Sequence, residues 1–370
     1  MKMTERDFKL KKLATFLDRH QLDGVMLWHR PNFAWLTGGG DNHVSRSSAI
    51  GVAGLIATRD SITCICNNIE SPRIAAEELA GLEIEIIDYE WHDDSSAKKA
   101  FEKAIGNKKF AADFNSSDLD LADLPKNFAE LRWQLCPEEI ERYRIGGRLT
   151  SEAIESACRM IEPGMTEKQI AGILDLEVHA RGLHPVVTLI AADERLMKFR
   201  HPIPTEKSFE NVVMLVTCAD YKGLISNVTR IVHVGKLNEE GQSRVQAVAD
   251  IDATINLVTK PRKSLSELFA ELQNAYELAG HADQWNFHHQ GGITGYMGRE
   301  VFARPGENTI VQIDQAFAWN PSVAGCKSED TVLISSDGIE LLTAHSPNWP
   351  TVMGRSHAGE LRRAGWLELE

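Results

Sequence analysis

The sequence contains little that would suggest a membrane or nucleic-acid partner. No uninterrupted apolar run approaches the roughly eighteen residues that a membrane-spanning helix needs. Lysine and arginine number 40 against 53 aspartates and glutamates, and the net charge of −13 repels phosphate backbones and anionic membrane surfaces. The first residues carry charges of both signs without the apolar core of a signal peptide. We therefore expect a soluble, cytoplasmic protein that binds neither nucleic acid nor membrane.

Cysteine pairs of the Cys-x-x-Cys type are also missing. The six cysteines are scattered through apolar or strand-like segments. Cys64 and Cys66 would point to one face of a strand, but free cysteines are among the residues most often buried. The sequence therefore predicts buried, reduced thiols rather than a metal or redox role.

A dinucleotide-binding glycine pattern is absent as well. Gly38–Gly40 are three consecutive glycines, which let a backbone approach a neighbour closely, but they lack the G-x-G-x-x-G spacing that seats a pyrophosphate. Two interpretations remain open: a flexible turn, or a loop that reaches the site of another domain or subunit.

Strands and helices alternate in the first part of the chain. This order is typical of an α/β domain, and we predict a small one over residues 1–135. Its predicted elements are, in order, helix 5–20, strand 24–28, strand 49–57, strand 61–66, helix 72–80, strand 84–89 and helix 97–105.

A second domain is predicted over residues 136–370. Pro137 and the two glutamates after it open a long helix over 138–161. Capping boxes that start at Thr166 and Ser264 each begin a further helix. Two helices followed by strands occur twice, so we predict two equivalent halves whose sheets meet around one central site, in a mixed α/β (α+β) fold. The strands of this domain are predicted at 186–192, 212–219, 224–234, 285–296, 309–319 and 331–334.

The stretch His288–Glu300 is the strongest candidate for a site. It combines two histidines, several glycines, one arginine and one glutamate in a segment too rich in glycine for a helix. Such a segment is expected to line a pocket.

Four landmarks occur in the order of a known family. They are Pro163-Gly164-Met165-Thr166-Glu167, Ser226-Asn227-Val228-Thr229-Arg230, the His288 segment and Ser328-Glu329-Asp330-Thr331. Over essentially its whole length the chain resembles the creatinase, prolidase, aminopeptidase P and methionine aminopeptidase family. The resemblance implies the pita-bread fold for the second domain and a creatinase-like α/β fold for the first.

The resemblance also implies a changed metal site. Metallopeptidases of this family hold two metal ions with two Asp, one His and two Glu, a set that suits divalent ions sharing an activated water. In this chain the five positions fall on Val216, Asn227, His288 or His289, Asp314 and Glu329. Valine offers no lone pair and a neutral asparagine is a weak ligand. We therefore expect the dinuclear centre to be lost.

No cofactor is expected on this interpretation. If an ion is bound, it is at most one divalent metal, Mn, Co or Zn, held by His288, Asp314 and Glu329. A register shifted to Asp220 would restore an acid, but strand alternation and the turn that follows predict an exposed hairpin position for that residue.

The His288 segment is more similar to metal-free creatinase than to the peptidases. The matching residues are His288, Gly291, Tyr296, Gly298, Arg299 and Glu300. In that resemblance Arg299 binds the substrate carboxylate and His201 is the general acid and base. We predict that the catalytic residues are His201, His288 and Glu329, and that the substrate-binding residues are Arg299, Tyr296, Asp314 and Asn227.

Simpler roles remain open for several of these side chains. His201 could lie in a surface loop, His288 could be a buried core histidine, and Arg299 could pair with Glu300 as a solvated ion. His289 is expected to face away from the site and to have a structural role.

These features predict a hydrolase that cleaves a C–N bond in a small carboxylate-bearing substrate, a peptide or an amidine, without a dinuclear centre. One alternative is a single-metal Xaa-Pro dipeptidase or aminopeptidase. Another is a non-catalytic protein that binds a small molecule or peptide in the same pocket. The resemblance further implies a homodimer with the Gly38–Gly40 loop of one subunit near the other's site.

Overall fold

The computed structural model describes residues 4–114 and 121–370. It divides into two compact units. The first comprises the chain up to Arg132 together with Cys136–Glu139, and the second comprises Trp133–Leu135 and Ile140–Glu370. No helix among the described residues is long and apolar enough to cross a membrane.

The first unit is built on one mixed, six-stranded sheet with strand order β4-β3-β2-β1-β5-β6. Strands β1 and β5 are parallel, whereas β1, β2 and β3 form an antiparallel meander. The strands are β1 (Gly24–His29), β2 (Ile50–Thr58), β3 (Ile62–Asn67), β4 (Glu85–Tyr89), β5 (Phe110–Ala112) and β6 (Ala122–Asp123). The helices are α1 (Glu5–His20), α2 (Arg30–Thr37), the short α3 (Ser71–Arg73) that continues as a π-helical turn over Ile74–Glu78, and α4 (Asp94–Ile105), followed by a 3-10 turn over Lys126–Arg132.

Two features of the first unit answer expectations from the sequence. Cys64 and Cys66 on β3 are buried free thiols, as predicted. Gly38 ends α2 in a left-handed conformation with φ of +76°, a backbone geometry that favours glycine.

The described part of the second unit contains two larger sheets, two two-stranded sheets (β13-β14 and β17-β18), two pairs of helices and the short helix α7. One sheet has the order β19-β9-β8-β7 and the other β11-β10-β12-β15-β16. The helices are α5 (Pro137–Met160), α6 (Glu167–Ala180), α7 (Glu194–Lys198), α8 (Glu239–Val258) and α9 (Leu265–Leu278), with a 3-10 turn over Gln284–Phe287. The strands are β7 (His184–Ala192), β8 (Val212–Tyr221), β9 (Leu224–Val234), β10 (Gly291–Thr294), β11 (Val301–Phe302), β12 (Gln315–Trp319), β13 (Ser322–Val323), β14 (Cys326–Lys327), β15 (Asp330–Ser335), β16 (Gly338–Leu341), β17 (Thr351–Ser356), β18 (Gly359–Ala364) and β19 (Leu367–Leu369).

Each helix pair covers its own sheet, which confirms the predicted two-half plan. Both predicted capping boxes are present, at Thr166 before α6 and at Ser264 before α9. In the first half, α5 and α6 bury apolar side chains against β7, β8 and β9. In the second half, α8 and α9 do the same against β10, β12 and β15. The apolar stripe of each helix therefore meets the inner face of one sheet.

The two sheets meet where β9 runs beside β15. The amide of Asn227 donates to Thr331 Oγ1 at 2.8 Å, and the amide of Thr229 donates to the carbonyl of Glu329 at 3.1 Å. These contacts bring the landmark strand of the first half next to the landmark strand of the second.

Two strands of the second half are shorter than predicted. The segment before β10 is a 3-10 turn over Gln284–Phe287, and β12 begins only at Gln315. Asp314 has φ of +63°, a left-handed conformation that interrupts an extended chain. The backbone before β12 is therefore a turn, and this shifts which residue of the strand reaches the centre of the unit.

Candidate active site

Three histidine rings lie together in the second unit. His201 follows α7 in a loop, and His288 lies between the 3-10 turn and β10. Their Nε2 atoms are 3.2 Å apart. The His289 ring centroid lies 4.6 Å from that of His288 and 5.3 Å from that of His201. The structure thus brings the predicted pair, His201 and His288, together. His289 joins them, although the sequence analysis expected it to face away.

Neighbouring groups hold the His288 ring in place. Its Nδ1 atom lies 3.2 Å from Ser322 Oγ, and His288 is buried. The Ser322 amide donates to the Tyr276 hydroxyl at 2.7 Å, and that hydroxyl in turn donates to Gln290 Oε1 at 2.8 Å. The ring orientation is fixed, and its Nε2 atom is directed at His201.

Two hydrogen bonds from Arg200 hold the loop that carries His201 in place. This guanidinium donates to the Val323 carbonyl at 2.7 Å and to Gln284 Oε1 at 2.6 Å. Both acceptors are close in sequence to groups around His288. His201 itself is exposed, so a solute can reach its ring.

All three histidines are neutral near pH 7. Burial, followed by the charge of Lys327, lowers the pKa of His288 well below its ordinary value. Burial and then Arg299 lower the pKa of His289 to about 4. Burial and then Lys327 also lower the pKa of His201, with Glu329 opposing the shift. Neutral imidazoles have a free lone pair, so each ring can accept a proton or bind a metal ion.

Glu329 lies between two cations. Lys327 Nζ is 2.7 Å from one carboxylate oxygen, and Arg299 Nη2 is 3.0 Å from the other. Thr229 Oγ1 adds a hydrogen bond of 2.8 Å. Burial would raise the pKa of Glu329, but Lys327 and Arg299 outweigh it and lower the pKa to about 2. Glu329 is therefore a permanent anion and accepts hydrogen bonds rather than donating a proton.

Arg299 links the two halves of the unit. Its Nη1 atom donates to Asn227 Oδ1 at 2.9 Å while Nη2 holds Glu329. Asn227 is fully buried and its amide nitrogen donates to Thr294 Oγ1 at 3.1 Å. The Arg299 Nε atom is buried without a hydrogen-bond partner among the described residues. Both Nη atoms of the guanidinium are thus engaged by protein acceptors, and the buried Nε atom is the one without an acceptor among the described residues.

Lys327 is the important residue that the sequence analysis did not assign. Its side chain is 5% exposed, and its Nζ atom forms an ion pair with the Glu329 carboxylate. Residues two apart on an extended chain point to the same side, so a lysine two places before Glu329 was the available signal.

Tyr296 and Asp314 are the remaining predicted substrate-binding residues. The Tyr296 hydroxyl accepts a hydrogen bond of 2.9 Å from Arg142 Nη2. Asp314 directly precedes β12, at the end where Gln315 pairs with Ile334, whereas Trp319 at the other end pairs with Asp330 beside Glu329. The placement of Asp314 in the site is therefore corrected, because the left-handed turn puts it a strand's length away.

Asn320 directly follows β12, at the end of the strand where Trp319 pairs with Asp330 beside Glu329. It is buried, and its Nδ2 atom lies 3.5 Å from His289 Nδ1. Its Oδ1 atom has no hydrogen-bond partner among residues 4–114 and 121–370. The sequence analysis missed this residue, although an asparagine followed by a proline directly after an apolar strand was visible.

Comparison with known proteins identifies the family. The sequence model of metallopeptidase family M24 matches residues 141–336, more than half of the chain. The chain belongs to metallopeptidase family M24.

Relatives and solved structures match this M24 chain over at least 90% of its length. It is 23% identical to "Uncharacterized peptidase YqhT" of Bacillus subtilis, over 92% of this chain and 98% of that protein. It is 21% identical to an Xaa-Pro dipeptidase of Pyrococcus horikoshii, over 90% of this chain and 96% of that protein. The structure of an Xaa-Pro dipeptidase from Bacillus anthracis superimposes with a TM-score of 0.77 at 17% identity, covering 98% of this chain and all of that one. The predicted family and pita-bread fold are confirmed.

The donor set of this M24 chain does not match a carboxylate-rich site for two ions. At the positions assigned from the family, Val216 is a buried aliphatic side chain and Asn227 is occupied by Arg299. The carboxylate of Glu329 at the centre is already paired with two cations, Arg299 and Lys327. A second metal ion would have to displace those cations, and the ligands for it are neutral or apolar.

Proposed function

We propose that this chain is a hydrolase that cleaves a C–N bond in a small carboxylate-bearing molecule without a dinuclear metal centre. The observation that supports it is the pair of neutral imidazoles, His201 and His288, whose Nε2 atoms are 3.2 Å apart beside an ionised Glu329. This arrangement supplies proton transfer and charge in one place without a metal ion.

His201 and His288 move the proton in this proposal. Water adds to the electrophilic carbon of the substrate while His201 accepts its proton. The proton then passes to the leaving nitrogen as the C–N bond breaks. His288, fixed by Ser322, stays close enough to share the proton during the transfer. A general acid and base of this kind contributes roughly 10² to 10⁴ in rate.

Arg299 and Lys327 provide the positive charge that attracts the substrate. A planar guanidinium suits a carboxylate, and the buried Nε atom of Arg299 has no hydrogen-bond acceptor among the described residues. Glu329 keeps both cations in place and orients them. The Xaa-Pro dipeptidases among the relatives make dipeptides with C-terminal proline the first substrates to try, followed by amidino carboxylates.

The test measures metal content and activity on the same preparation. Purified protein is assayed by elemental analysis and then with a panel of Xaa-Pro dipeptides and amidino carboxylates, with and without chelator. We expect activity that survives chelation and falls at least about 100-fold in His201→Ala. His179→Ala, in a histidine pair outside the site, is the matched control and should keep full activity.

Two results would contradict the proposal. Two tightly bound ions per chain with activity lost in chelator would restore metallopeptidase chemistry. A pocket that binds panel compounds in a thermal-shift screen, with no turnover and no effect of His201→Ala, would favour the non-catalytic alternative. The single-metal alternative that uses Asp314 has no support in the geometry, because Asp314 lies at the far end of β12.

Location and assembly complete the proposal. We propose a cytoplasmic homodimer, supported by the charge pattern and by the family resemblance. Light scattering coupled to gel filtration measures the assembly, and a monomer at working concentration would contradict it.

A further inference from the structure

The three histidines of the site form a second kind of arrangement besides a proton relay. One ring nitrogen from each of His201, His288 and His289 lies within 4.8 Å of the others. Imidazole is the nitrogen ligand that zinc, cobalt, nickel and copper ions prefer. The cluster therefore offers three ligands of one chemical type at a single point.

The spacing of two of these nitrogens already fits a tetrahedral ion. Zinc–nitrogen bonds of about 2.0–2.1 Å at a tetrahedral angle place two ligand nitrogens about 3.3 Å apart. The Nε2 atoms of His201 and His288 are 3.2 Å apart. A ring nitrogen of His289 lies within 4.8 Å of the other two ligand atoms, and the exposed side of His201 leaves a path for the ion and a fourth position for water.

Outer groups hold these rings as they do in protein metal sites. Histidine ligands usually have their second nitrogen fixed by a hydrogen-bonding group, which orients the ring. His288 Nδ1 lies 3.2 Å from Ser322 Oγ, and His289 Nδ1 lies 3.5 Å from Asn320 Nδ2. Ser322 is itself tied to Tyr276. The scaffold therefore directs one nitrogen of His288 toward the centre of the cluster.

We propose that His201, His288 and His289 bind one divalent transition-metal ion, of the zinc, cobalt or nickel type, and that this ion inhibits the enzyme. The binding site rests on the geometry alone. The inhibition rests on the proposed function, because the ion takes the Nε2 lone pairs that would otherwise accept the proton. The metal ion thus acts on this site as an inhibitor and not as a cofactor.

Ion selectivity follows from the ligands. Three imidazoles and no free carboxylate suit zinc, cobalt or nickel, whereas magnesium and manganese favour oxygen ligands. Lys327 and Arg299 share the single counter-charge of Glu329 and leave a net positive charge nearby. The ion is therefore held less tightly than zinc in a structural site, which makes reversible regulation possible.

The experiment titrates metal ions into the full chain after chelation and desalting. Zinc is followed by calorimetry and cobalt by the visible absorption of a tetrahedral complex. We expect one ion per chain, tetrahedral cobalt bands, and no comparable binding of manganese. Loss of an outer partner weakens metal sites by about 10–100-fold, so loss of a direct ligand in His201→Ala or His289→Ala should exceed about 100-fold.

Ser322→Ala tests the metal site even if a histidine variant fails to fold. It leaves all three ligands in place and should weaken binding by about tenfold through the lost partner of His288. His179→Ala, in the histidine pair whose ring centroids are 6.0 Å apart, should bind zinc like the wild type. Full binding in His201→Ala, no binding by the wild type, or two ions per chain would each overturn the metal site.

Inhibition is measured separately on any substrate that is turned over. We expect zinc to lower the rate at the concentration that fills the site, and chelator to restore it. Zinc binding at the histidines without a change in rate would overturn the inhibitory role and leave the site. If no substrate is turned over, the proposed function fails, while the stoichiometry and the variants still decide the metal site.

Discussion

The two halves of the second unit share a scaffold but differ in the charges they bring to its centre. In each half a helix pair packs on a sheet. The first half contributes a buried valine, Val216, and a neutral amide, Asn227, from its strands. The second half contributes His288, Arg299 and the Glu329 pair with Lys327. The central carboxylate therefore comes from the second half, whereas His201, in the loop between β7 and β8, comes from the first.

The largest expected effect comes from removing the carboxylate of Glu329. Glu329→Gln leaves Lys327 and Arg299 buried without a counter-charge, and breaking a buried pair costs about 3–5 kcal/mol. The free energy of unfolding in urea measures this loss. The matched control is Glu340→Gln, which removes a surface pair with Arg144 and should change stability by about 0–1 kcal/mol. Equal losses in the two variants would contradict the central role of Glu329.

The second prediction concerns the pH dependence of stability, which we trace to Glu329 and His289 in the second half. The pKa of Glu329 is lowered to about 2, so its stabilisation is present above the ordinary value of 4.5 and is lost as the pH falls toward 2. The pKa of His289 is lowered to about 4 from 6.5, so the folded state binds fewer protons and stability already decreases as the pH falls below 6.5.

Unfolding in urea across a pH series separates these two windows. His289→Asn should reduce the slope between pH 6.5 and 4, to which His288 and His201 also contribute, and Glu329→Gln should reduce it between pH 4.5 and 2. A wild-type curve that is level down to pH 4 would contradict the shift of His289.

The third prediction returns an acid to the first half. In Asn227→Asp the new carboxylate still accepts from Arg299, so the free energy of unfolding should change by only about 1 kcal/mol. Because Arg299 and Lys327 remain, the variant should not gain a pair of manganese ions. Elemental analysis after dialysis against manganese measures this, and two ions per chain would show that the lost acid alone separates this site from a dinuclear one.

The smallest expected effect is at Asp314. Asparagine tolerates the left-handed backbone at φ of +63°, and the side chain lies away from the cluster. Asp314→Asn should therefore change activity less than about twofold and stability by about 0.5 kcal/mol or less. Asn320→Ala, at the near end of the same strand, is the contrasting variant, and a larger effect at Asp314 than at Asn320 would reverse the assignment.

Local patterns in the sequence were sufficient for the fold and for part of the site. The capping boxes at Thr166 and Ser264 depend on residues three apart, and the structure has both. The proximity of His201, His288, Arg299, Glu329 and Asn227 was anticipated because short motifs carry them. Their roles in chemistry stay predictions.

Other features of the site depend on distant contacts that no local pattern contains. The left-handed turn at Asp314 decides which end of β12 reaches the centre, and counting along the chain put the acid at the wrong end. His289 was expected to face away because the family match placed His288 at the inward position, but both residues precede β10, which begins only at Gly291, and both rings lie in the cluster. The importance of Lys327 appears only when Arg299 and Glu329 are placed around it.

The pairing of Glu329 with Lys327 and Arg299 bears on how the stability of the protein depends on metal supply. In a site built around metal ions, clustered acids repel one another until the ions arrive, so folding depends on metal supply. Here two side chains of the same chain already supply the counter-ions, with contacts of 2.7 and 3.0 Å. The folded state should therefore keep its stability when transition metals are scarce.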